Sequence, residues 1–280
     1  MEESKVTQSE TKSVVSYVFF DEVEDIPATV DKAGQWIFYI GVGIPAAIVG
    51  QVNTKVLALL DKLPNKTFHA KDIYKEKSSN LEFMREMSQV IFSYNLPCFC
   101  FPFAKSMLED PNFKVLKEIK FNLQEFESDP WRPKITNYKF VGYYLLIHCL
   151  NWYLPLHSTL SPYYELVFHQ GIRDSGNGFN YDDSSILSSI SKTCFANLNK
   201  VPLLALADHL NYLFGKCRRE LVDDHGSIIV APSCADNYLA NECLKHLAFL
   251  SLKGQYHLID LIEWKKYENN RLDNLNKSDQ

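Results

Sequence analysis

The chain has 280 residues, 46% of them hydrophobic and 13% aromatic, and a formal net charge of -5. That is enough apolar material for one substantial core, and the length disfavours two independent ones. The acidic balance excludes a protein that coats nucleic acid non-specifically, while leaving room for a local basic surface.

Residues 1–13 are polar, lack the apolar stretch of a secretory signal, and read as a disordered tail. Residues 14–20 (VVSYVFF) predict a buried strand that runs into an acidic turn, Asp21-Glu22-Val23-Glu24-Asp25. Residues 35–42 (QWIFYIGV) predict a second strand, joined to the first as a hairpin. Apolar residues at helical spacing, Val52, Val56, Leu59, Leu60 and Leu63, predict a helix over 48–63 that Pro64 ends. A lysine-rich polar stretch follows and holds Phe68 and His69. Asn80 can cap a helix over 81–94 with Phe83, Met87, Val90 and Ile91 as its buried stripe. Residues 96–101 predict a short buried strand in which Cys98 and Cys100 share one face.

Residues 105–135, with mixed charge and the Asp129-Pro130 and Arg132-Pro133 steps, read as an irregular surface insertion. A long apolar helix is expected over 137–154 and a strand over 163–168 (YYELVF). The Gly/Asp/Asn-rich stretch 171–183 reads as a loop and 185–194 as a short helix. Pro202 opens a helix that carries Asp208 and ends in Lys216, Arg218 and Arg219. A short strand over 227–230, a helix over 236–250 and a polar tail over 265–280 complete the chain. Together these elements predict an α/β fold, a mixed sheet flanked by helices, in a single domain over 14–264 with a helical insertion over about 105–160.

No stretch of about 18 uninterrupted apolar residues occurs, so no membrane-spanning helix is expected. The seven cysteines lie mostly inside apolar runs, and no paired C-x-x-C knuckle is present. That argues against structural zinc and for a reducing, cytoplasmic setting.

Four features can carry chemistry. Carboxylates at the exit of an apolar strand need a positive partner, and a hard divalent cation with oxygen ligands supplies one; a solvated acidic turn is the plain alternative. Asp208, in VPLLALADHLNYL, reads as a carboxylate on a buried helix face, where it needs a salt-bridge partner, a hydrogen bond or a cation. His69, close to Asp72, can serve as a ligand, a proton shuttle or a phosphate contact, and His169 at the exit of the 163–168 strand can approach Asp21.

These residues fall into three short motifs in order: Asp21-Glu22-Val23-Glu24-Asp25, His69-Ala70, and VPLLALAD over 201–208. The set resembles the bacterial domain-of-unknown-function family numbered thirty-eight hundred, which is grouped with RNase H-like folds. Members open with a strand ending in D-E-S-G-D, carry a later H-A pair, and end with a P-x-L-Q-L-A-D helix. The resemblance covers roughly residues 14–220.

The resemblance implies an RNase H-like core in which carboxylates from the first strand, a central element and a late helix converge on Mg²⁺ or Mn²⁺ to hydrolyse phosphodiesters. It implies Asp21, Asp208 and His69 as catalytic residues and Asp21, Glu22, Asp208 and His169 as metal ligands, with Asp25 and Asp72 behind them. Glu22 is the weaker ligand, because strand alternation turns it to the opposite face. Lys71, Lys75, Lys216 and Arg219 are the expected phosphate contacts for a nucleic acid or nucleotide substrate. Two departures stand out. Val23-Glu24 replace Ser-Gly, and His169-Gln170 stand where the family often has Asp. A His ligand suits Mn²⁺ or Zn²⁺ better than Mg²⁺. The missing carboxylate opens an alternative, a catalytically degenerate RNase H-like module that binds nucleic acid or a protein partner in a bacterial defence or mobile-element system.

Overall fold

The computed structural model describes residues 16–25, 36–64, 68–74, 80–104, 138–157, 163–169, 189–221, 245, 255–259, 263–264, 266, 270 and 274. Strands β1 (Ser16–Asp25), β2 (Trp36–Pro45) and β3 (Cys98–Ala104) form an antiparallel meander. Strand β4 (Tyr164–His169) joins β1 in parallel, β5 (Ile190–Ala196) joins β4 in parallel, and β6 (Tyr256–Leu258) joins β3 in parallel. The sheet order is β5-β4-β1-β2-β3-β6, so β1 is an interior strand. This is a mixed sheet covered by helices, as the sequence pattern predicts.

Strand alternation divides the core in two. Phe19, Phe38, Ile40, Val42 and Val167 face one side of the sheet. There they meet α1 (Ala46–Leu60), α2 (Ala70–Ile73), α3 (Asn80–Ser93) and the buried face of α5 (Leu204–Leu221). Val18, Phe20, Tyr39, Leu166 and Phe168 face the other side, against α4 (Tyr138–His157). That second face is dense in rings, and each buried ring contributes about 1.5–3 kcal/mol. Such packing needs small residues at close approaches. A Cβ on Gly41 would fall 2.3 Å from the Phe20 ring, and one on Gly142 of α4 would fall 2.8 Å from Phe103.

Three elements differ from the sequence expectation. The acidic residues after Phe20 form no turn: β1 continues through them, pairing Glu22 with Tyr39 and Asp25 with Trp36. The β2 ladder holds the backbone extended despite the poor strand preference of the acids. Residues 190–194, expected in a helix, belong to β5, because the edge of β4 offers a parallel partner that a short local pattern does not reveal. Helix α1 ends at Leu60 in tight turns rather than at Pro64, and Leu63 is half-buried.

Helix α4 falls within the span read as an insertion, yet Leu145, Leu146, Cys149 and Leu150 are fully buried against the sheet. Residues 1–13, 105–135, 171–183 and 227–230 lie outside the described residues, so the tail, surface insertion, loop and strand expected there do too. Of 236–250 only Lys245 is described, and it is helical; in the expected polar tail, Lys266, Asn270 and Asn274 are helical as well. No helix among the described residues is long and apolar enough to cross a membrane.

Candidate functional site

The site begins with strand register. Phe20 of β1 pairs with Phe168 of β4, and their rings stack at 5.2 Å with 13° between planes. In parallel strands the next residues, Asp21 and His169, fall side by side on the opposite face, the one that α5 covers. His169 Nδ1 lies 3.2 Å from Asp21 Oδ1. The β1–β4 ladder ends at Phe20, so beyond Asp21 the acidic part of β1 pairs with no β4 residue.

Helix α5 brings the second acid. Its first turns, Leu204 to Leu206 and Ala207, are buried, which draws Asp208 down to 5% exposure. Asp208 Oδ2 accepts the Ala70 N–H at 3.0 Å and lies 3.4 Å from His69 Nδ1. The carboxylate thereby satisfies one of the free donors at the start of α2 and holds His69, the residue just before it. One turn further along α5, Asn211 faces the same way. Its Nδ2 donates to Asp21 Oδ2 at 3.0 Å and to the Glu22 carbonyl at 2.8 Å.

Behind the site, His209 is fully buried. It bonds the Tyr74 hydroxyl through Nδ1 at 2.7 Å and the Ser88 hydroxyl through Nε2 at 2.9 Å. Tyr74 also packs edge-on against Tyr212. These contacts tie the segment carrying His69 to α5 and α3.

The charges are coupled. Burial pushes the Asp208 carboxyl above the usual carboxylate range, and the charge of Asp21 adds to this; the His69 hydrogen bond and the Ala70 N–H act the other way. The His69 imidazole is raised by its hydrogen bond to Asp208, with burial opposing and the charges of Asp208, Asp72 and Asp21 assisting. His169 is raised by its hydrogen bond to Asp21, again against burial, with Asp21 and Asp208 assisting. Two aspartate–histidine pairs therefore share one electrostatic site.

The donor set fits a divalent ion. One donor atom each from Asp21, Glu22 and His169 lie within 4.8 Å of one another. The 3.2 Å between Asp21 Oδ1 and His169 Nδ1 is close to the ~3.0 Å expected of neighbouring ligands about 2.1 Å from an octahedral ion. Glu22 corrects the sequence expectation: alternation alone would turn it away, yet its carboxylate reaches Asp21 and His169 where β1 has run past β4.

Asp21, Asp208, His69 and His169 thus come together. Lys71 and Asp72 are exposed on α2, beside His69, and Lys216 is exposed on α5 with its ammonium 5.3 Å over the Tyr212 ring. Lys75 and the side chains of Asp25 and Arg219 lie outside the described residues. Sequence reasoning missed Asn211 and His209. Asn211 carries a usable signal, its spacing of three from Asp208 on an apolar helix; His209 carries none, since its partners are far away in the chain. No protein-family model, curated protein or solved structure matches this chain.

Proposed function

We propose that this protein is a metal-dependent nuclease or related phosphodiester hydrolase with an RNase H-like active site. One observation carries the reading: Asp21 from an interior strand and Asp208 from a late helix reach one end and one face of the sheet, beside His169 and His69. The topology supports it, because β1 lies between its antiparallel partner β2 and the parallel pair β4 and β5.

Asp21, Glu22 and His169 are the residues that would hold Mg²⁺ or Mn²⁺; Asp208, expected as a fourth ligand, lies outside that donor group, engaged by Ala70 and His69, and adds its charge from beside it. Such an ion, when bound, lowers the pKa of a water and offsets charge on the leaving oxygen of a phosphodiester. The remaining roles belong to the chain itself. Asn211 orients Asp21. Asp208 fixes the start of α2 and with it His69, whose side chain is 54% exposed and so can exchange a proton at the rim. Lys71, on α2 two residues after His69, and Lys216, on α5 eight residues after Asp208, are exposed and would meet the phosphates of a nucleic acid or nucleotide.

The test is Mn²⁺-dependent cleavage of single- and double-stranded DNA and RNA by the wild type and by Asp21→Asn, Asp208→Asn. Activity is expected in the wild type and lost in the double variant; retained cleavage in the double variant refutes the assignment.

One observation favours a second reading. Each aspartate already has a histidine beside it, and His169 stands where the resemblance implies an acid. A degenerate RNase H-like module that binds nucleic acid or a protein partner, in a bacterial defence or mobile-element setting, would keep such a compensated site without using it. Titration calorimetry separates the two: this second reading expects folded protein with no stoichiometric Mn²⁺ binding.

A further inference from the structure

We propose that Asn211 sets the ion preference of the site by reserving one oxygen of Asp21. The inference rests on the metal-dependent reading above. Asn211 is 8% exposed, and its Nδ2 donates to both Asp21 Oδ2 and the Glu22 carbonyl. Both partners are acceptors, so the amide orientation follows: turned over, Oδ1 would face two oxygens. Asp21 Oδ2 is therefore held by an amide that has no proton to give up, whereas Oδ1 is held by His169 Nδ1, whose proton leaves when the imidazole takes an ion, so Oδ1 is the oxygen Asp21 presents. A second, independent feature points the same way. Asn211 Oδ1 is buried with no hydrogen-bond partner. A buried acceptor beside a carboxylate cluster suits a donor that arrives with the ligand, such as a water carried by a cation.

The consequence is chemical. Ca²⁺ takes six to eight oxygens and often binds a carboxylate through both, whereas smaller octahedral ions hold several waters and bind carboxylates through one oxygen. An aspartate limited to one free oxygen disfavours Ca²⁺. The nitrogen donor of His169 adds to the preference for Mn²⁺, but that contribution is untouched by changes at 211. Removing the Asn211 amide releases Asp21 Oδ2, permits two-oxygen binding and raises affinity for Ca²⁺ selectively.

The experiment is calorimetric titration of the full chain with Mn²⁺ and separately with Ca²⁺. It compares the wild type, Asn211→Ala, Asn211→Ser and Asp21→Asn, with thermal melts to select folded variants. The serine hydroxyl is too short to serve both acceptors, so it tests the same point if the alanine variant fails to fold. The wild type should prefer Mn²⁺, and both Asn211 variants should narrow that preference by about tenfold, the scale of a lost contact to a metal ligand. An unchanged Mn²⁺ to Ca²⁺ ratio, or equal weakening of both ions, overturns the role of Asn211 and leaves the metal reading standing. No Mn²⁺ binding by the wild type, or Mn²⁺ binding indifferent to Asp21→Asn, overturns the metal reading and this inference with it.

Discussion

Replacing His209 with leucine removes the tie between α5 and the segment that carries His69. The imidazole is fully buried and bonds the hydroxyls of Tyr74 and Ser88 at 2.7 and 2.9 Å. Leucine keeps the apolar contacts but neither hydrogen bond. A buried hydroxyl that loses a hydrogen bond costs about 1–3 kcal/mol, and two are affected, so His209→Leu should cost about 2–6 kcal/mol. Urea unfolding measures this as a lower midpoint at unchanged slope. The triple variant His209→Leu, Tyr74→Phe, Ser88→Ala removes the hydroxyls as well. It should recover most of the loss, because replacing all partners with apolar groups of similar shape is nearly neutral. Amide exchange at Ala70, whose N–H is held by Asp208, should speed up in the single variant as the segment loosens. A single variant that loses less than about 1 kcal/mol, or a triple variant no better than the single, refutes the network as the link.

Three further predictions follow from the same geometry. His69, His169 and Asp208 all have raised pKa values, so each contributes stability below its unfolded value, near 6.5 for the histidines and 3.8 for the aspartate, and that contribution is lost as pH rises through the folded values. The metal-free protein should therefore melt lower at pH 8 than at pH 6, and His169→Asn should flatten the profile more than His69→Asn, since the two side chains are 21% and 54% exposed. Asp208→Asn should raise the melting temperature of the metal-free protein while abolishing cleavage, because it removes a buried charge that faces Asp21 but keeps an acceptor for Ala70; a lower melting temperature would show that the His69 pair outweighs the burial. Gly41→Ala should cost about 1–3 kcal/mol in urea unfolding, as the new methyl forces Phe20 off its stack with Phe168, and a loss below about 0.5 kcal/mol would mean the ring moves aside freely.

The strands were legible where the pattern was strong. Residues 16–20 of VVSYVFF, 36–42 of the ring-rich segment and 164–168 of YYELVF fall in strands, and the stripe Phe83, Met87, Val90, Ile91 is the buried face of α3. The misses share a cause: the deciding partner lies far away in the chain. Acids are poor strand formers, yet β2 holds Asp21 to Asp25 extended. Residues 190–194 have a helix-like local reading, yet β4 recruits them. The three residues of β6 are too few for any periodicity. In the site, Asp21, Asp208 and His169 could be picked out because charged or titratable groups interrupt or end apolar runs, and His69 as a lone histidine close to Asp72 in a polar stretch. His209 could not, because an imidazole on a helix acquires meaning only from what it touches, and Asn211 offers only its spacing of three from Asp208.

The balance of charge at the site bears on which of the two proposed readings fits better. In a settled structural ion pair the acid is lowered by its partner. Asp208 has a histidine beside it and a backbone N–H on the same oxygen, and its pKa is still raised, because burial and the charge of Asp21 together outweigh both. Negative charge is thus only partly compensated at a position where an apolar residue would fold more easily. The compensation that does exist comes from protons on two histidines, which are exchangeable near neutral pH. A site built this way binds a cation by trading those protons for it, so Mn²⁺ affinity should rise with pH over the range in which metal-free stability falls. A module that only docks a partner has no need to keep Asp208 within electrostatic reach of Asp21, whereas an ion-dependent hydrolase does, since each ion needs several acids to neutralise it while open positions remain for water and phosphate.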